Sequence, residues 1–186
     1  MTAELRPDGL IDLPHERRWR GQTRPVPGIL ALVRRDHELL LIRRVAPPYT
    51  GQWALVGGAW DFGETLARGA VREVHEESSL DTEFVALRGV VNERLHPLGE
   101  SDAGGHWLLF VCEVRILGGD AAEQAEGPVA WFDSPGLERL HTTGQIVPSD
   151  YVMIQEFLRA PAQALWHAEL TAHAGEHGLH FFGRGA

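Results

Sequence analysis

GAWDFGETLARGAVREVHEESSL, residues 58–80, sets Glu64, Arg72, Glu73, Glu76 and Glu77 after Gly58 at intervals that fit one loop and one helix. At 3.6 residues per turn, Glu73, Glu76 and Glu77 stand at i, i+3 and i+4, with their Cβ atoms about 5–6 Å apart. Three carboxylates that close repel one another, and repulsion raises carboxylate pKa values. A divalent cation reverses the sign of that interaction. An all-oxygen donor set without histidine or thiolate favours Mg²⁺ or Mn²⁺ over zinc or copper, and Mg²⁺ characteristically binds together with phosphates. Leu66, Ala67, Ala70, Val71 and Val74 recur at helical spacing on the same segment. The expectation is a helix that packs on one side and binds metal on the opposite one.

The chain has 186 residues, 44% of them hydrophobic, which is enough for one globular domain with a sizeable core. It contains no run of eighteen apolar residues and no basic-then-apolar leader, so neither a membrane span nor a secretory signal is expected, and the cytoplasm is the expected location. A net charge of −9 leaves no cation excess for releasing counterions from nucleic acid, which argues against bulk nucleic-acid binding. All 17 basic residues are arginine, so any phosphate clamp must be a guanidinium fork. Cys112, the single cysteine, lies in an apolar run and reads as a small core residue.

Residues 1–24 are polar and arginine-rich around Trp19 and read as an arm, residues 25–160 as the main domain, and residues 161–186 as a helical extension and tail. Residues 28–35 (GILALVRR) and 38–44 (ELLLIRR) predict a hairpin turning at Asp36 and His37. Arg43 and Arg44 close its second strand and are candidate substrate ligands. The paired prolines of residues 45–52 predict a loop, and residues 53–56 a short strand running into Gly57 and Gly58. Strands are predicted over 83–92, 106–117 and 129–133, and a helix over 149–159 capped by Ser149 or Asp150. A further helix is expected from Pro161, a residue suited to a first turn. His167, His173, His177 and His180 in the tail read as solvated side chains.

The 58–80 stretch resembles the Nudix box, whose pattern is G, five residues, E, seven residues, then R-E-U-x-E-E-x-G-U, where U is aliphatic. Gly58, Glu64, Arg72, Glu73, Val74, Glu76, Glu77 and Leu80 match, and Ser79 replaces the box glycine. The strands before the box and the AWFD near residue 130 are also similar to Nudix hydrolases. The resemblance implies an α/β/α sandwich around a mixed β-sheet and Mg²⁺-dependent cleavage of a nucleoside diphosphate derivative. It implies Glu73 and Glu77 as principal metal ligands, Glu76 and the Gly57 carbonyl as further ones, and Arg72 paired with Glu64 to hold the cluster. Ser79 is expected to end the helix in the left-handed conformation, which costs a non-glycine residue on the order of 1 kcal/mol.

The general base stays open among Glu76, Glu123 and Glu126, with Glu93 and Glu100 as outside candidates. Trp107, with Trp60 and Tyr151, is a candidate for stacking a base. Pro97, seventeen residues after Leu80, resembles a feature of ADP-ribose-type members, and so does the N-terminal arm. The expected ligand is therefore a small nucleotide, ADP-ribose-like or another nucleotide sugar. Two alternatives stand beside it: a nucleoside triphosphate pyrophosphohydrolase, and a nucleotide-sensing module that binds without turnover. As a protein partner the sequence leaves room for a second copy of the chain, a homodimer.

Overall fold

The structure, a computed structural model, describes residues 24–95, 105–173 and 176–184, with side chains described as far as residue 165. The arm before residue 24, Pro97, Glu100 and the side chains of the tail histidines lie outside the described residues.

Strand β1 (Val26–Arg35) is the axis of the fold. It pairs in parallel with β5 (Gly105–Gly118) from Val26↔Trp107 to Val33↔Val114, and antiparallel with β3 (Trp53–Ala59). Its near-continuous apolar run follows from this position, because a central strand covered on both faces has no solvent side on which to alternate. β2 (Glu38–Arg43) returns from a tight turn in which Asp36 takes a positive φ of 54°. β4 (Asp81–Leu95) and β6 (Val129–Phe132) form the edges of a mixed sheet ordered β4-β5-β1-β3-β2-β6.

Each face of the sheet carries its own core. Helix α1 (Leu66–Ser78) sets Leu66, Ala70 and Val74 against Ile29, Ala31, Val33 and Cys112. On the other face, α2 (Ser134–Thr142) and α3 (Pro148–Phe157) pack Leu137, Leu140, Met153 and Ile154 against Leu32, Leu39, Leu41 and Val111. The architecture is the expected α/β/α sandwich.

Three local expectations are corrected. α3 begins at Pro148 with Val147 in the cap position and without a side-chain cap, so neither Ser149 nor Asp150 is the cap. Asp150 instead turns into the protein and accepts a hydrogen bond from the Leu55 amide of β3 at 2.7 Å. The segment after Pro161 is not helical: β7 (Trp166–His173) and β8 (Glu176–Arg184) form an antiparallel hairpin. WHAELTAH alternates apolar and polar residues with the period of a strand, and this outweighs the first-turn preference of one proline. Helix α2, absent from the sequence reading, starts where the Asp133 carboxylate accepts from the Gly136 amide at 2.8 Å, with a proline in its first turn.

Candidate active site

Thr65 opens α1, its hydroxyl accepting from the Arg68 amide, and Ser79 closes it at φ 61°, ψ 11°, its amide donating to the His75 carbonyl. The helix therefore ends in the left-handed conformation that the sequence predicts there. Its buried stripe differs from the expectation. Glu73 and Glu77 are 5% and 4% exposed and lie within the same arc as Leu66, Ala70 and Val74, while Glu76 is exposed. The carboxylates thus lie between helix and sheet instead of on a face opposite the packing one.

Two glycines of β3 make the room. A Cβ on Gly58 would stand 2.5 Å from Glu73 Oε2, closer than any side chain permits. Gly57, at φ 151°, donates its amide to Glu77 Oε2 at 2.7 Å. The adjacent glycines thus let two carboxyl groups approach the sheet backbone, one of them accepting a backbone hydrogen bond.

Arg72 braces this cluster. Its guanidinium donates through Nη2 to Glu64 Oε1 at 2.7 Å and to the Ala59 carbonyl at 3.0 Å, and through Nε to Glu64 Oε2 at 3.2 Å. Nη1 reaches Glu73 at 2.8 Å and Glu76 at 3.0 Å. The side-chain hydrogen bonds from Arg72 pull the Glu64 carboxyl below its ordinary range, and Glu64 in turn raises the guanidinium. A planar five-donor fork can serve all these acceptors together, which a single ammonium cannot.

Burial acts in the opposite sense on the inner carboxylates. Desolvation pushes Glu77 up to about 9, with Glu126 adding to the rise through a side-chain hydrogen bond and its charge. Glu73 is raised mainly by desolvation, against the pull of Arg72. Among the described residues no three acidic, histidine or cysteine side chains form a ready-made metal cage, and Arg72 Nη1 instead stands between Glu73 and Glu76. The donors are nevertheless those a hard divalent cation takes: carboxylate oxygens on adjacent helical turns beside exposed backbone, held where their negative charge is otherwise unfavourable. The residues fit Mg²⁺ or Mn²⁺.

A cleft of about 340 Å³ opens over Glu77 and is lined by Gly57, Gly58, Arg44, Ala125 and Glu126. Next to it lies a cavity of about 210 Å³ with Trp107, Tyr49, Leu109, Glu93 and Asp150 in its walls. Arg44, Gly57 and Gly58 line both. Arg44 is held by its Nε donating to the Pro48 carbonyl at 2.9 Å. Glu93 Oε2 is buried without a hydrogen-bond partner, and desolvation lifts Asp150 to about 7 and Tyr49 to about 12.

The sequence candidates therefore divide. Glu64, Arg72, Glu73, Glu76, Glu77 and Gly57 come together, Glu126 joins them from the loop before β6, and Arg44 and Trp107 reach the adjoining cavity. Arg43 and Glu123 do not line either space: Arg43 is exposed with its Nε donating to the Gly51 carbonyl at 3.0 Å, and Glu123 faces solvent. Trp60 and Tyr151 are occupied elsewhere, Trp60 edge-on to Phe110 and Tyr151 stacked on His141. Asp150 and Tyr49 were missed as cavity residues. Nothing local marks them, since one lies in the first turn of a helix and the other in a proline-rich loop.

The NUDIX domain model matches residues 23–157. The ADP-ribose pyrophosphatase of Methanocaldococcus jannaschii is 29% identical over 141 residues, covering 73% of this chain and 78% of that protein. The putative ADP-ribose pyrophosphatase YjhB of Bacillus subtilis is 26% identical, covering 77% and 68%. In fold, the chain is similar to the MutT protein from Methanosarcina mazei Go1, with a TM-score of 0.60 at 24% identity, covering 74% of this chain and 96% of that one. The chain belongs to the Nudix family and is a Nudix hydrolase, the class that the carboxylate helix and its glycine-lined cleft define.

Proposed function

We propose that the chain is a Mg²⁺- or Mn²⁺-dependent pyrophosphohydrolase that splits the diphosphate of ADP-ribose or a closely similar nucleotide sugar. The observation that carries this reading is the joining of the two spaces. A carboxylate-lined cleft and an aromatic-walled cavity share Arg44 and the Gly57-Gly58 backbone, so a diphosphate can lie over the glycines while its nucleoside enters the cavity. The names of the two curated relatives point to the same substrate.

In this reading Glu73 and Glu77, with Glu76 and the Gly57 carbonyl, would hold the metal, and Arg72 orients the carboxylates. A bound divalent cation would supply charge neutralisation at the phosphates and a more acidic water. Arg44 supplies a guanidinium to the phosphates where cleft and cavity meet. Glu126, facing Glu77 across the cleft, accepts the proton of the attacking water, and Glu123 takes no part. Trp107 stacks on the base, while Glu93 Oε2 offers a free acceptor to ribose hydroxyls or an amino group.

The test is a panel of ADP-ribose, other nucleoside diphosphate sugars and nucleoside triphosphates, each incubated with Mg²⁺ or Mn²⁺ and resolved chromatographically. ADP-ribose converted to AMP and ribose 5-phosphate is the expected result. Release of pyrophosphate from triphosphates in preference would move the reading to the triphosphate class, and no turnover across the panel would leave a binding module.

A further inference from the structure

The glycine of the family pattern is Ser79 here, and its side chain makes a contact that glycine cannot. Ser79 Oγ accepts a hydrogen bond from Gln124 Nε2 at 2.7 Å. Gln124 is also the first residue of a tight turn, its carbonyl accepting from the Gly127 amide at 3.1 Å, and Glu126 lies within that turn. The loop is fastened on both sides of it. The Ala122 amide donates to the Ser78 carbonyl at 2.9 Å, and the Arg43 amide donates to the Pro128 carbonyl at 2.8 Å. Gly127 lies so near β2 that a Cβ on it would stand 2.2 Å from the Arg43 carbonyl oxygen.

We propose that Ser79 is a positioning residue: its hydroxyl latches Gln124 and so holds the 124–127 turn that presents Glu126 to Glu77. The left-handed backbone at Ser79, which costs a non-glycine residue on the order of 1 kcal/mol, is the counterpart of that contact. The outer fastenings fix the loop's ends to the α1 terminus and to β2, and Gln124 is the side chain that ties its middle. Without the latch the ends stay in place and the turn gains freedom about them, so Glu126 loses its fixed distance from Glu77. Misplacement of a reacting group by about 1 Å can cost up to about 100-fold in rate, so a loosened turn reads out in turnover before it reads out in fold. The inference rests on the proposed role of Glu126.

The test uses the full chain with saturating Mg²⁺ and the substrate that the wild-type enzyme turns over fastest in the panel. Ser79→Gly relieves the backbone and removes the latch, so Tm is expected not to fall while kcat drops about fivefold with KM unchanged. Gln124→Ala is expected to lower kcat by the same factor, and the double variant to lose no more than either single one. Ser79→Asn, which tolerates the left-handed backbone and keeps a side-chain oxygen as acceptor, is expected to restore kcat. Amide exchange gives a readout apart from activity: Gly127 exchanges faster in Ser79→Gly while the interior of α1 does not change.

An unchanged kcat in Ser79→Gly and Gln124→Ala, or fully additive losses, overturns the latch. Glu126→Gln separates the two layers. If that variant keeps wild-type kcat, the role of Glu126 falls, and the catalytic consequence of the latch falls with it. If it loses activity while the latch variants keep theirs, the latch alone is wrong.

Discussion

The cleft and the cavity share Arg44, Gly57 and Gly58, yet the chain assembles them differently. Of the cleft's two acidic lining residues, Glu77 comes from α1, where Glu73, Glu76 and Arg72 stand within two turns, and Glu126 comes from the loop before β6. The cavity draws on β1, the 44–52 loop, β3, β4, β5 and the start of α3. In the proposed function most of the metal-binding carboxylates thus come from consecutive residues, whereas the nucleoside would meet side chains that come together only through the sheet. A helix can keep its carboxylates while the six walls of the cavity vary separately.

Breaking the acidic side should have the largest effect. Glu77→Gln retains the hydrogen bond from the Gly57 amide but cannot ionise to bind the metal, and is expected to lower kcat by about 1,000-fold with the fold intact by circular dichroism. A loss of less than tenfold would show that Glu77 is not part of the reacting centre. On the cavity side, Trp107→Ala is expected to raise KM about tenfold with little change in kcat, in keeping with about 1–3 kcal/mol for a base stacked on an aromatic ring. Steady-state kinetics on the preferred substrate separates the two parameters.

The smallest effect on turnover is expected from Asp150→Asn, where stability is the informative measurement. Burial lifts the folded Asp150 to about 7 from an ordinary 3.8. The unfolded chain then releases its proton first as pH rises. Between about pH 4 and 7 the folded state binds the extra proton, so this group lowers stability across that window and levels off above it. Asparagine still accepts from the Leu55 amide without titrating. The Tm of the variant relative to wild type should therefore climb from pH 4 to 7 and stay flat beyond, and a constant difference would refute the buried titration.

The same contrast explains what could be read in advance. The i, i+3, i+4 spacing of the glutamates, the strand runs around β1 and the left-handed end at Ser79 are local properties, and the sequence carries them openly. The burial of Glu73 and Glu77 was not legible, because helical periodicity sorts residues by polarity and cannot register that Gly58 leaves space for a carboxylate against the sheet. Asp150 looked like a cap since its position in a helical first turn is the same whether it faces solvent or Leu55. Glu123 and Glu126 could not be told apart by sequence, being three residues apart in one acidic loop, and the turn from Gln124 to Gly127 separates them. The hairpin after Pro161 is legible in the alternation of WHAELTAH, which the first-turn preference of the proline obscures.

The division of labour itself is tested by one measurement: the ratio of kcat/KM for ADP-ribose to that for a nucleoside triphosphate, in Glu77→Gln and in Trp107→Ala. Glu77→Gln is expected to lower both values together and leave the ratio unchanged, while Trp107→Ala changes the ratio through KM. A ratio shifted by Glu77→Gln, or a Trp107→Ala variant that loses kcat equally on both substrates, would contradict it.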